Sequence, residues 1–183
     1  MPKAHTEILP LLNDQLDPSR VKHREGAHGS QLSYIEGYDA IDAMNEIFGY
    51  DGWSRSEPTL TLLWQRPHTV QKKDYNGKVV GEEERIELSY SATLSVTIYW
   101  LEGNAIRQTT QGDTGFGTAV DASAMHIEKA TKEAVTDALK RCVRALGNQF
   151  GNSLYDKQDP NHATNAPTRA PQNTPAPTRR SIV

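Results

Sequence analysis

Residues 86–100 alternate strictly between apolar and polar side chains. Every even position from Ile86 to Trp100 is aliphatic or aromatic, and every odd position from Glu87 to Tyr99 carries a carboxylate or a hydroxyl group. A period of two places successive side chains on opposite faces of a strand. The pattern therefore predicts one long strand with one face on a core and a polar face left open, as in an antiparallel sheet.

Two further segments predict neighbours for this strand. Thr59–Gln65 and Ala105–Gln111 have strand composition, and Asn76-Gly77 is a strong signal for a two-residue hairpin turn in an exposed, charged excursion. We therefore expect a three-stranded antiparallel meander. The segment 112–119, "GDTGFGTA", is interpreted as a glycine-rich turn; no Lys-Ser or Lys-Thr pair follows it, so it is not a P-loop.

Three segments have helical periodicity. A helix is predicted over 38–48, and a long one from about Ala122 into the mid-140s, with an apolar stripe rich in small residues. A short helix over 8–16 would end at Asp17-Pro18. The expected fold class is α+β, with an antiparallel meander packed on the long helix. We divide the chain into an N-terminal segment 1–20, a core domain 21–157 and a disordered proline-rich tail 158–183.

The composition excludes several classes of protein. A chain of 183 residues with 36% hydrophobic residues supports one core, and it lacks both a long apolar run and a signal peptide, so a cytoplasmic protein with no membrane partner is expected. The single cysteine, Cys142, is interpreted as a small buried residue. No HExxH motif or Cys/His ligand pair is present, and no metal or other cofactor is predicted.

A cluster of cations stands out because the whole chain has a net charge of -3. Lys140, Arg141 and Arg144 lie within two turns of the long helix. Spacing alone favours an ion-paired solvent face, because Asp137 and Arg141 are four residues apart. The functional alternative is that these cations neutralise phosphates, which would make binding salt-dependent and indifferent to sequence. A different alternative is a metal-dependent DNA-processing nuclease that uses the carboxylates of 82–87.

The residue order of two long blocks is more specific evidence than the spacing of the charged residues. "YIEGYDAIDAMNEIFGYDGWS", followed by "GFG" and "IEKATKEAVTDALKRCVRALGNQFGNSLYDK", resembles the core of the Rad52 family of recombination mediators and single-strand annealing proteins, over roughly residues 24–157. The resemblance implies a β-β-β-α core, a closed homo-oligomeric ring and a cationic groove that holds single-stranded DNA. It also implies ATP-independent, non-enzymatic annealing of complementary strands in homologous recombination and DNA repair.

The same resemblance implies which residues contact DNA. Lys140 and Arg141 come from the block "KEAVTDALKR", Arg144 lies beside them, and Arg24 lies ten residues before the tyrosine of "YIEG". No residue is implied to be catalytic. Four aromatic residues are interpreted as core or subunit-contact residues rather than base-stacking platforms: Tyr34, Trp53, Phe116 and Tyr155.

The chain departs from the family pattern in two places. Asp121 and Ser123 occupy the region where the family has lysines of a second, outer DNA site, so that site is not expected here. Eukaryotic members have a long C-terminal half that contacts a recombinase and a single-strand-binding protein, whereas a short proline-rich tail stands in that place here. The sequence therefore does not decide whether the chain binds a recombinase or a single-strand-binding protein. A bacterial or phage protein, associated with the nucleoid in the cytoplasm, is expected.

Overall fold

The computed structural model describes residues 1–26, 30–156 and 158, and its class is α+β with antiparallel sheets, as predicted. The predicted tail and the domain boundary at residue 157 lie outside the described residues, apart from Gln158. The helices and strands are α1 (His5–Asn13), β1 (Val21–Glu25), β2 (Gln31–Ile35), α2 (Gly37–Phe48), β3 (Trp53–Arg55), β4 (Thr59–Lys73), β5 (Val79–Glu102), β6 (Ala105–Val120) and α3 (Ala124–Arg144). Single 3-10 turns occur at Pro18–Arg20, Asn148–Phe150 and Ser153–Tyr155.

Strand β5 is the centre of the larger sheet. It pairs antiparallel with β4 from Thr93 to Val79 and with β6 from Glu87 to Glu102, and the short β3 continues the β4 side. The predicted three-strand meander is therefore present, extended by β3. Strands β1 and β2 form a separate antiparallel hairpin that the sequence did not predict.

The core lies on the face of β5 that the alternation predicted. Leu88, Ala92, Leu94, Val96 and Ile98 are buried, and α2 and α3 cover them. Cys142 of α3 is buried there too, its thiol donates a hydrogen bond to the Leu94 carbonyl at 3.4 Å, and burial raises its pKa. The interpretation of Cys142 as a buried residue is thus confirmed. No helix in the described part of the chain is long and apolar enough to cross a membrane.

The prediction of a turn at 112–119 is wrong. These residues belong to β6, which runs to Val120 in register with β5. The glycines serve a close approach instead: a Cβ atom on Gly115 would lie 2.1 Å from the Ala138 nitrogen, and one on Gly117 would lie 2.0 Å from the Ala130 oxygen. Glycine marks turns and close backbone contacts equally well, and only the position of a distant helix distinguishes the two.

Two boundaries also differ from the predictions. The hairpin at the end of β4 turns over three residues, Tyr75–Gly77, rather than two, with the Asp74 amide donating to the Lys78 carbonyl. Gly77 has φ +80°, which glycine adopts readily. Helix α1 begins and ends three residues earlier than the predicted helix, and Pro10 lies inside it.

Candidate nucleic-acid interface

The position of α3 is set by small residues. Ala130, Ala134 and Ala138 have no exposed surface, and they face the glycines of β6. Because helix and strand approach so closely, the longer side chains of α3 point away from the sheet. The helix thus presents Lys132, Lys140 and Arg144 on its outer side.

The β1–β2 hairpin is held beside the C-terminal half of α3. Arg20, just before β1, donates hydrogen bonds to Asp39 of α2 at 2.9 Å and to the side chain of Gln149 at 2.6 Å. Val21 and Ile35 pair at the base of the hairpin, and both are buried. These contacts fix the hairpin relative to α2 and to the 3-10 turn Asn148–Phe150, which follows α3.

The four cations that the resemblance implied come together in this place. Arg24 from β1 and Lys140, Arg141 and Arg144 from α3 line one cavity of about 280 Å³. The buried side chains of Phe150 and Leu154 and the carboxylate of Asp137 also line it. Four cations against one carboxylate leave the cavity basic, so it can hold a phosphate backbone.

Tyr34 lies between two of these cations. The guanidinium carbon of Arg24 and the Nζ atom of Lys140 are each 5.6 Å from the centre of its ring. Charges of the same sign repel, and the electron-rich face of the aromatic ring reduces the cost of placing them together. The sequence gives one indication of the contact between Arg24 and Tyr34, which is their spacing of ten residues.

A second concave region continues the first along the outer side of α3. It shares Arg24, Tyr34, Asp137, Lys140 and Arg141 with the cavity. Beside β6 it adds one cation, Lys132, and two carboxylates, Glu36 and Glu133. We use the name cationic groove for the surface formed by Arg24, Tyr34, Lys132, Lys140, Arg141 and Arg144.

Two cations of the groove have a carboxylate partner within α3: Lys132 pairs with Glu128, and Arg141 pairs with Asp137. Arg141 is the one of these two that the resemblance implies. Its Nε atom donates to an Asp137 carboxylate oxygen at 2.8 Å, and that oxygen also accepts from the Phe116 amide at 3.1 Å. The hydrogen bond to Asp137 raises the pKa of Arg141. The intrahelical ion pair is therefore present for Arg141, whereas Lys140 and Arg144 make no ion pair with any described residue.

With this geometry established, comparison with known proteins defines the family. A sequence profile described as the Rad52/22 family double-strand break repair protein matches residues 4–173. The chain belongs to the Rad52/22 family.

Several fungal members of the Rad52/22 family are similar to the chain. The DNA repair and recombination protein RAD52 of Kluyveromyces lactis is 36% identical over 153 residues, covering 82% of this chain and 30% of the relative. The protein rad22 of Schizosaccharomyces pombe is 38% identical over 148 residues, covering 80% and 28%. RAD52 of Saccharomyces cerevisiae is 34% identical over 156 residues, covering 84% and 29%. The chain thus spans less than a third of the length of these relatives.

Three aromatic residues interpreted above as core or subunit-contact residues of this Rad52/22-family chain divide into two groups. Trp53 packs against the core and donates a hydrogen bond from Nε1 to Asn45 at 2.9 Å. Phe116 and Tyr155 are 48% and 69% exposed, so a core role is wrong for both. The guanidinium of Arg144 lies 4.5 Å from the Tyr155 ring centre, and that of Arg141 lies 5.9 Å from the Phe116 ring centre. A role in subunit contacts stays a prediction.

The carboxylates of 82–87 do not form a metal site. They lie on β5, where successive side chains point to opposite faces of the strand. Across the described residues, no group of three or more His, Cys, Asp or Glu side chains is placed to hold a metal ion. The turn before α3 is also polar: the Asp121 carboxylate accepts a hydrogen bond from the Ser123 amide at 3.0 Å. The expectation that no outer DNA site lies there stays a prediction.

Replacing Asp137 with asparagine is expected to strengthen binding of single-stranded DNA about threefold at low salt. The substitution removes a negative charge from the groove and releases Arg141 from its partner, so the local potential becomes more positive. Fluorescence anisotropy with a labelled oligonucleotide measures the change. Glu57→Gln removes an exposed carboxylate outside the groove and serves as the control. Weaker binding by Asp137→Asn would show that the ion pair itself is needed.

Proposed function

We propose that the chain binds single-stranded DNA along the cationic groove and anneals complementary strands in recombination and repair. The observation that carries the proposal is the convergence of Arg24 with Lys140, Arg141 and Arg144, since these cations come from two elements more than a hundred residues apart in sequence. Membership of a family of double-strand break repair proteins supports it.

The chemistry of such a groove suits annealing. Cations that contact phosphates bind the backbone regardless of sequence, so the bases stay available to a second strand. A strand that is already extended loses less conformational entropy when its complement docks. Annealing makes and breaks no covalent bond, so the proposed activity is not enzymatic and needs neither ATP nor a cofactor.

A ring of identical subunits would account for the modest charge of the chain. Each protomer has a net charge of -3 overall, yet it supplies several cations to one groove. Repetition around a closed ring would join these into a continuous basic track, and closed symmetric assemblies are common among homo-oligomers. The homo-oligomeric ring is part of the proposal.

Annealing of two complementary labelled oligonucleotides without nucleotide tests the proposal. The wild-type protein is expected to accelerate pairing, and the variant Lys140→Ala plus Arg141→Ala is expected to lose most of the acceleration, because two of the phosphate-binding cations are removed. The measurement is the pairing rate over a salt series, with oligomeric state checked by light scattering. No acceleration by the wild type would refute the proposal.

Denaturing gels of the same reactions, run with magnesium or manganese, separate annealing from nuclease activity. An annealing protein leaves strand lengths unchanged, whereas a nuclease shortens them. Shortening that depends on the carboxylates of 82–87 would favour the nuclease instead. Contacts with a recombinase or a single-strand-binding protein, and location at a bacterial or phage nucleoid, stay predictions.

A further inference from the structure

Aromatic rings accompany all four groove cations that the resemblance implied. In each case the charged group lies between 4.5 and 5.9 Å from the centre of a ring. The rings belong to Tyr34, Phe116 and Tyr155. Proteins that bind single-stranded nucleic acid combine a cationic groove for the backbone with aromatic side chains on which bases stack. The rings of the groove therefore have the chemistry to contact bases as well as cations.

Exposure separates Tyr34 from the other two rings. Tyr34 is half-buried between two cations, and its hydroxyl donates a hydrogen bond to Glu36 at 3.3 Å. Phe116 and Tyr155 are 48% and 69% exposed, although a guanidinium lies over each of them. A base needs an open ring face on which to stack. Phe116 and Tyr155 are therefore suited to stacking, whereas Tyr34 is not.

The packing of the protomer does not explain these two aromatic residues. Neither ring belongs to the core that the described residues form. The close approach of β6 to α3 is made by Gly115 and Gly117, which flank Phe116, and not by the ring between them. Tyr155 follows the buried Leu154 in a 3-10 turn and is itself exposed. Both rings are therefore free to contact a ligand.

The two rings stand at opposite ends of the cationic groove. Tyr155 lines the cavity, which also holds Arg144, and Phe116 lines the second concave region, which also holds Lys132. The cations that the two regions share lie between the rings. Each base is joined to the backbone through one sugar, so a strand whose phosphates follow these cations brings bases to both rings.

The charges around Phe116 suit a base better than a phosphate. Glu36 and Glu133 line the second region beside this ring, and neither makes an ion pair with any residue in the described part of the chain. Such carboxylates repel a phosphate, whereas an uncharged base is not repelled. At this end of the groove the strand is therefore held through a base more readily than through its backbone.

We propose that Phe116 and Tyr155 are base-stacking platforms for the single strand that the groove holds. The ligand is a nucleobase of any kind, because every base has a π-face, so the contact adds affinity without sequence preference. Stacking uses the face of a base and leaves its pairing edge open, which is compatible with annealing. This inference rests on the proposed function and adds base contacts to the phosphate contacts of the same groove.

Two other roles for the rings compete with stacking. A ring can serve to orient the guanidinium that lies over it, but Arg141 is already oriented by its 2.8 Å hydrogen bond to Asp137 and does not need Phe116 for that purpose. A subunit contact would cover each ring beside cations that must stay open to phosphate. The observations therefore favour stacking, and both alternatives are outcomes of the test.

The variant Phe116→Leu plus Tyr155→Leu tests the inference, because leucine stays apolar but has no ring face. Fluorescence anisotropy measures its affinity for two oligonucleotides of equal length, one with natural bases and one abasic. The wild type is expected to prefer the natural strand by at least about tenfold, and the variant to lose most of that preference. The slope of log affinity against log salt is expected to stay unchanged, because no phosphate contact is removed.

Two control variants accompany the test. Phe116→Tyr plus Tyr155→Phe keeps an aromatic face at both positions, and Tyr50→Leu removes a ring that is 87% exposed outside the groove. Both controls are expected to keep the wild-type preference for the natural strand. Circular dichroism and light scattering verify that every variant is folded and has the oligomeric state of the wild type.

Three results would overturn the inference. An undiminished preference of the leucine variant for the natural strand would show that the rings contact no base. Equal loss of affinity for both strands, with a smaller salt slope, would show that the rings position Arg141 and Arg144 instead. A changed oligomeric state would identify the rings as subunit contacts. In all three cases wild-type annealing can persist, so the proposed function is judged separately. A wild-type protein that binds neither strand would refute the proposed function and this inference together.

Discussion

Gly117→Ala is expected to lower the free energy of unfolding by about 3 kcal/mol or more. The added methyl group would lie 2.0 Å from the Ala130 carbonyl oxygen and 2.8 Å from the Ala134 amide nitrogen. Both are backbone atoms inside a helix, so no side-chain rotation relieves the clash, and α3 must move away from β6. Gly115→Ala is expected to act similarly, because its methyl group would lie 2.1 Å from the Ala138 nitrogen.

Gly81→Ala is the matched control for both substitutions. Gly81 also lies in a strand, β5, but a methyl group added there would have no atom within 4 Å outside its immediate neighbours. Stability is therefore expected to change by less than about 0.5 kcal/mol. Urea unfolding followed by circular dichroism measures all three variants. Equal stability of the Gly117 and Gly81 variants would show that α3 does not depend on this close approach.

The glycines also illustrate what sequence can and cannot predict about the fold. Local periodicity located α2, α3 and the three main strands, because a buried face requires apolar residues at regular intervals along the segment. It failed at 112–119, where the reason for the glycines is a helix more than ten residues further along the chain. It also missed the β1–β2 hairpin, because β1 has one apolar residue followed by four polar ones and β2 is only five residues long.

The site was predictable in its residues but not in its arrangement. Resemblance to a family indicated Arg24, Lys140, Arg141 and Arg144, and the structure brings these four together. The four-residue spacing of Asp137 and Arg141 predicted the ion pair that the structure shows, whereas Lys140 makes no ion pair with a described residue. Tyr34 is interpreted from the sequence as a core or subunit-contact residue. Its contacts with Arg24 and Lys140 could not be predicted because these two cations are supplied by separate elements.

The full length of β4 and β5 was not predictable either. The sequence indicated an exposed hairpin at Asn76-Gly77, but the charged run before Ile86 breaks the alternation that marks the rest of β5. A strand that packs on no core within its own chain has no reason to show a buried face.

The triple variant Arg24→Ala, Lys140→Ala and Arg144→Ala is expected to lower the affinity for single-stranded DNA by roughly two orders of magnitude at low salt. These are the groove cations implied by resemblance that make no ion pair with a described residue, so their charge is available to phosphates. Removing one phosphate contact is expected to reduce the slope of log affinity against log salt by about 0.7 for every protomer that the strand engages.

A second triple variant separates the effect of the groove cations on DNA binding from the effect of the net charge. Arg55→Ala, Arg107→Ala and Lys129→Ala change the net charge equally at exposed positions outside the groove, and their salt slope is expected to match that of the wild type. Long-range attraction would weaken equally in both variants, whereas only the first variant is deprived of direct bonds to phosphate. Equal slopes for the two triple variants would therefore mean that DNA is bound elsewhere, even if both bind more weakly than the wild type.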